Sequence, residues 1–165
     1  MYNRPLVPPD FVVPDRLDGQ GHILRMLSID DVEKDFEAVM ASAGRLRGLL
    51  DPSSTWPDGL TLKEDLIDLG WHQREFTLRH SFAYTVMSDD ERRCLGCCYI
   101  FPSNAQGYDA VVFYWVRAGA DAENRDAELG ARLRAWLDCV WPFKRIGFPG
   151  RDMPWSEWAA VQSEG

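Results

Sequence analysis

Between Asp109 and Gly130 an apolar run, Val111-Val112-Phe113-Tyr114-Trp115-Val116, ends at Arg117 and passes through a short polar segment into a helical pattern carrying Arg125-Asp126-Ala127-Glu128-Leu129-Gly130. Six consecutive β-branched or aromatic residues read as a strand. Beyond them Leu129, Leu133, Trp136, Leu137, Val140 and Trp141 fall on one helical stripe, so this helix is expected to lie across a sheet face. Pro142 stops it, and Arg145-Ile-Gly-Phe-Pro149 reads as a short strand, which after a helical crossover lies parallel to its predecessor. The segment therefore demands a layered α+β fold. Its strand-to-helix junction also aims free backbone N–H groups, and the positive end of a helix dipole, at an anion such as a phosphate.

The preceding segments supply the rest of the sheet. Ser81 to Met87 and Cys94 to Phe101 are strand-like and joined by the charged turn Ser88-Asp-Asp-Glu-Arg92, a hairpin with a longer loop. With the strand from Asp109 to Arg117 they form an antiparallel meander. His22 to Leu27 reads as an earlier strand, and Ser28-Ile-Asp-Asp31 caps a helix with Val32, Phe36, Val39 and Met40 on one face. Residues 45–60 have the composition of an irregular loop, with Trp56 expected to anchor it. Thr61-Leu-Lys-Glu64 is a capping box that opens a second helix, with Leu62, Leu66, Leu69 and Phe76 inward and Asp65, Asp68, Gln73, Arg74 and Glu75 on the polar face. Residues 1–20, with Pro5, Pro8, Pro9 and Pro14, read as an extended arm packed through Phe11, Val12 and Val13. Residues 21–165 read as a single domain, closed by a short helix carrying Trp155 and Trp158.

Charge narrows the function classes. The net charge of -8 argues against a nucleic-acid partner, which requires clustered Lys and Arg. The segment from Arg117 to Arg151 nonetheless holds seven basic residues against five acids, which suits a small anionic ligand or, equally, an ordinary solvated helix surface. No apolar stretch reaches membrane-spanning length and no secretory leader is expected, so the reading is a cytoplasmic protein without a membrane partner. Cys94-Leu-Gly-Cys97 has the letter spacing of a metal motif, but alternation along a strand points the two thiols to opposite faces. Buried thiols and no metal are expected. The seven tryptophans are expected mostly in the core, with an aromatic homodimer patch as the alternative.

Written out, the order is strand, helix, helix, three strands, helix, strand, short helix. In this order, and in His22-Ile-Leu-Arg-Met-Leu-Ser-Ile-Asp-Asp31, Leu95-Gly96, Tyr114-Trp-Val-Arg117 and Arg125-Asp-Ala-Glu-Leu-Gly-Ala131, the sequence resembles the GNAT N-acetyltransferase superfamily over about residues 21–160. The resemblance implies an acyl-CoA N-acyltransferase fold, a central mostly antiparallel sheet flanked by helices, and acetyl-CoA (coenzyme A) as cofactor. It also implies transfer of the acetyl group to a small-molecule amine or an N-terminus. In that family the loop before the third helix, Arg or Gln, two residues, Gly, one residue, Gly or Ala, binds the coenzyme pyrophosphate through its amides, and the pantetheine enters between two splayed strands.

Carried over residue by residue, the coenzyme set is Trp115, Val116, Arg117, Arg125, Asp126, Ala127, Glu128, Leu129 and Gly130, with the amides of Val116 and Arg117 near the thioester carbonyl. Glu128 stands where the pattern has its first glycine, which sets a carboxylate against a dianion. The same acid early in a helix also stabilises the dipole. Family members often use a tyrosine to protonate the thiolate, but none follows Tyr114. Asp109 and Glu75 are the candidate bases, and acids around the second helix would attract a cationic acceptor. The alternative is a catalytically inactive GNAT-like domain that acts as a ligand-binding or interaction module.

Overall fold

The computed structural model describes residues 4–162; the first three residues of the arm and the last three of the domain lie outside them. The sheet has six strands in chain order, β1 (Arg16–Asp18), β2 (His22–Met26), β3 (Phe82–Ser88), β4 (Cys94–Pro102), β5 (Ala110–Val116) and β6 (Ile146–Gly147). All neighbours are antiparallel except β5 and β6, which are parallel as the crossover requires. The helices are α1 (Val32–Ala41), α2 (Ala43–Leu46), α3 (Leu62–Thr77), α4 (Ala122–Val140) and α5 (Trp155–Val161). The expected order holds, with β1 and α2 added. The arm includes a short strand: Arg16–Asp18 pairs with Ile23–Arg25 as an edge strand. Tyr84 donates its hydroxyl to Pro14 O at 2.5 Å, and Arg79 donates to the carbonyls of Pro8 and Phe11. Phe11 stacks at a tilt on Trp141, while Val12 is 84% exposed and anchors nothing.

Local chemistry sets the helix starts. Ser28 accepts from Asp30 N, and Asp31 reaches back to Ser28 N. Thr61 and Glu64 make the same reciprocal pair at the head of α3. Each satisfies donors that a helix end leaves orphaned.

The two sheet faces differ in what covers them. α4 seals one, with Leu129, Leu133, Trp136 and Leu137 against Tyr84, Val112 and Tyr114; Val140, expected on its stripe, is 46% exposed. α1, α3 and α5 cover the other, where Ile23, Leu69, Met87, Tyr99, Phe113 and Trp158 share a core. Here apolar spacing misleads. Asp35, Ala38 and Val39 are the buried residues of α1, while Met40 is exposed. On α3 the buried residues are Asp65, Leu69 and Glu75, and Leu62, Leu66 and Ile67 face outward. Among the described residues no helix is long and apolar enough to cross a membrane.

Candidate functional site

The site begins where β5 and β6 part. The two strands pair only at Ala110 with Ile146 and Val111 with Gly147, so the carboxyl half of β5 has no paired strand on that edge. Alternate residues of a strand direct their N–H and C=O to the same side. The Arg117 N–H is given to Leu95 O at 2.7 Å on the β4 side, which turns the amides of Tyr114 and Val116 toward the open edge. A cavity of about 280 Å³ fills the splay, with Val112, Phe113 and Trp155 as its apolar wall and Arg45, Arg47 and Arg151 as its cationic one.

These guanidiniums are held by acids. Arg45 bonds Glu123, and Arg47 bonds Asp58; Glu123 is 86% and Asp58 46% exposed. Arg151 bonds both oxygens of Asp126, donates to Tyr114 O at 2.8 Å and lies 3.5 Å over the Tyr114 ring. Exposed ion pairs contribute about 0–1 kcal/mol, so a better anion displaces Glu123 or Asp58 at little cost. Asp126 is anchored more firmly.

Two further cavities continue from the splay along the α1 and α3 face. One of about 410 Å³ shares Phe113 and Trp155 with it. The next, of about 280 Å³, shares Leu50 and Phe101 with that one and is lined by Asp35, Asp65, Asp68, Trp56, Trp71 and His72. Aromatic rings floor this path. Tyr99 stacks on His72 and Phe101 at 5.3 and 5.9 Å, Phe101 meets Phe113 at 6.1 Å, and Phe113 stacks on Trp155 at 6.0 Å.

Against solved structures the chain has clear matches. A protein of Vibrio cholerae assigned as a ribosomal-protein-serine acetyltransferase matches 93% of this chain and 80% of its own at 15% identity, TM-score 0.62. A protein of Bordetella pertussis assigned to the GNAT acetyltransferases matches 89% and 86% at 14% identity, TM-score 0.61. A ribosomal L7/L12 alpha-N-protein acetyltransferase in complex with coenzyme A matches 76% and 67% at 15% identity, TM-score 0.55. The chain has the GNAT acetyltransferase fold. No protein-family model and no curated protein matches the sequence.

Within this GNAT fold the expected coenzyme residues are distributed differently from the sequence expectation. α4 begins at Ala122, so Asp126, Ala127, Glu128, Leu129 and Gly130 lie inside the helix, where amides are spent on carbonyls four residues earlier. Three amides at the junction also have partners. Ala118 N–H goes to Ser42 Oγ, Ala122 N–H to Gly119 O and Arg125 N–H to Asp121 O. Gly130 serves packing: a Cβ there would stand 2.3 Å from the Tyr114 hydroxyl. Glu128, Arg125 and Val116 line a separate cavity of about 170 Å³ with Gln20, Gly21 and His22, so the Glu128 carboxylate stands apart from the arginine-lined one. Trp115 is buried and donates to the Tyr99 hydroxyl at 3.1 Å, and Arg117 pairs with Glu37. Arg45 and Arg47, at the end of α2 where the sequence suggests loop from residue 45, lie outside the expected set.

The candidate bases stand apart from these cavities. Asp109 is exposed at the start of β5, where Oδ2 accepts from the amides of Lys144 and Arg145. Seven residues of strand, roughly 23 Å, separate it from Val116. Glu75 is fully buried and bonded to His80 Nδ1 at 2.9 Å and to Arg74.

Cys94 and Cys97 correct the alternation argument. Met87 pairs with Cys94 but Val86 with Gly96, so Leu95 is an extra residue in a β-bulge that resets the facing of the strand. Both thiols point into the α1 and α3 side, and their sulfurs lie within 4.8 Å of each other and of an Asp35 oxygen. Cys97 Sγ donates to Asp35 Oδ1 at 3.5 Å. Burial pushes the Asp35 carboxyl well above its ordinary value. Three donors fall one short of the four that a structural zinc takes.

Proposed function

We propose that this chain is an acyl-coenzyme A-dependent N-acyltransferase, acting on a small amine or an N-terminus, whose coenzyme phosphates are held by arginine side chains in place of a glycine loop. The observation that carries the reading is the cavity beside the parting of β5 and β6, where Arg45, Arg47 and Arg151 stand together with Val112 and Phe113 of β5. Pantetheine takes the amides of Tyr114 and Val116 as a strand would. The phosphates take the guanidiniums, whose planar donor forks match phosphate oxygens. The structural match to a coenzyme A complex supports the same cofactor.

In the transfer, a neutral amine attacks the thioester carbonyl, the N–C bond forms and the C–S bond breaks. The amine loses a proton and the departing thiolate gains one. The amide of Val116 is the donor proposed for the developing oxyanion.

The second reading, a coenzyme-free interaction module, is favoured by one observation: Arg151 already occupies Tyr114 O and both oxygens of Asp126. Calorimetry with acetyl-CoA separates the two. The transferase reading expects micromolar binding, weakened roughly tenfold or more for each guanidinium removed in Arg45→Ala and Arg47→Ala. Absence of heat at millimolar acetyl-CoA leaves the second reading standing.

A further inference from the structure

Asp65 is an acid in an unusual position. Its residue is 3% exposed, and Oδ2 has no hydrogen-bond partner. Its other neighbour is Asp35, which shares a hydrogen bond with it. Beyond that contact Asp65 keeps one oxygen unmatched. Burying a carboxylate without a counter-ion is costly, and no Lys or Arg lines this cavity. Its one histidine, His72, is held uncharged at neutral pH because burial depresses it to about 4. Asp68 adds a second negative group on the rim. The remaining walls are the rings of Trp56, Trp71, Tyr99 and Phe101 with Leu27, Leu50 and Leu69 between them, and ring faces attract cations, most strongly when water is excluded.

We propose that the cavity between α1 and α3 binds the ammonium head of an organic cation, with Asp65 as its counter-ion and the surrounding rings as its cage. This deepens the transferase reading by naming the acceptor class, and depends on that reading only for the link to acyl transfer. The nitrogen that is acylated must be neutral and near the splay, whereas the group beside Asp65 stays charged. Several rings in succession, each more than 5 Å from the next, separate the two ends. The acceptor is therefore an elongated amine carrying a second nitrogen that is cationic at neutral pH, of the diamine or alkylammonium-amine class.

The test is calorimetry of the full chain without coenzyme, using choline and 1-aminobutane as cationic probes and 3,3-dimethylbutan-1-ol as the neutral shape-mimic of choline. At least one cation is expected to bind, tenfold or more tighter than the alcohol, and to weaken tenfold or more in Asp65→Asn but not in the distant Asp109→Asn. If Asp65→Asn fails to fold, Trp71→Leu, which removes a partly exposed ring, is expected to weaken binding several-fold. Equal binding of the alcohol, no binding of either cation, or unchanged affinity in the folded cavity variants overturns the proposal. Because coenzyme is absent, a protein that fails to bind acetyl-CoA still gives this result, and the two ideas fail separately.

Discussion

The two faces of the sheet are built from different materials. Under α4, Tyr84, Trp136 and Trp141 meet edge to face at 5.1 to 6.3 Å, a packing that stabilises beyond the area it buries. Under α1 and α3 the corresponding depth is occupied by Asp35, Asp65, Cys94 and Cys97, with cavities beside them. One face is spent on holding the sheet together. The other retains groups that a stability-driven core would replace, and such local inconsistency marks a functional surface.

Truncation on the sealed face should break this contrast most visibly if it is wrong. Trp136→Ala is expected to cost about 3–5 kcal/mol in denaturant unfolding; a loss below about 1 kcal/mol would show that the α4 face is not the structural one. Glu75→Gln comes next. It replaces one of the two oxygens that bond His80 and Arg74 and removes the charge, and should lower stability by about 1–3 kcal/mol, while turnover per folded molecule stays unchanged.

On the open face the sign reverses, and Asp65→Asn should raise the melting temperature. Burial lifts Asp65 from 3.8 to about 6, so between these values the folded protein holds more protons here than the unfolded chain. The contribution of this carboxyl to stability therefore falls as pH rises through that window. The advantage of Asp65→Asn should be full above pH 6 and vanish below pH 4. His72, depressed to about 4, has the opposite slope, and Asp35 and Asp68 titrate in the same cavity, so the difference between the two proteins is the quantity to follow. The smallest effect is expected for Asp109→Asn. Its amide oxygen can still accept from Lys144 and Arg145, and both stability and rate should stay within about 1 kcal/mol of the original.

The architecture was legible because its signals are local. The capping residues Ser28 and Thr61, the apolar run of β5 and the stripe of α4 each announce one element, and their order leaves few topologies. The site was less so, for three physical reasons. Counting apolar spacing sends acids outward, which hid Asp35 and Asp65. A single extra residue at Leu95 reversed the facing of Cys94 against Cys97. The helix start at Ala122 has no side-chain cap bond from Asp121, and reading the phosphate loop at Arg125 to Gly130 placed the coenzyme amides inside a helix. Arg45 and Arg47 meet Arg151 only through tertiary folding, and no spacing rule joins them.

Amide hydrogen exchange with and without acetyl-CoA tests the arginine-lined splay most directly. The account predicts slowed exchange in residues 45–49, 112–116 and 148–151. Slowing confined to residues 20–22 and 125–129, around the cavity that Glu128 lines, or no slowing at saturating acetyl-CoA, would contradict it.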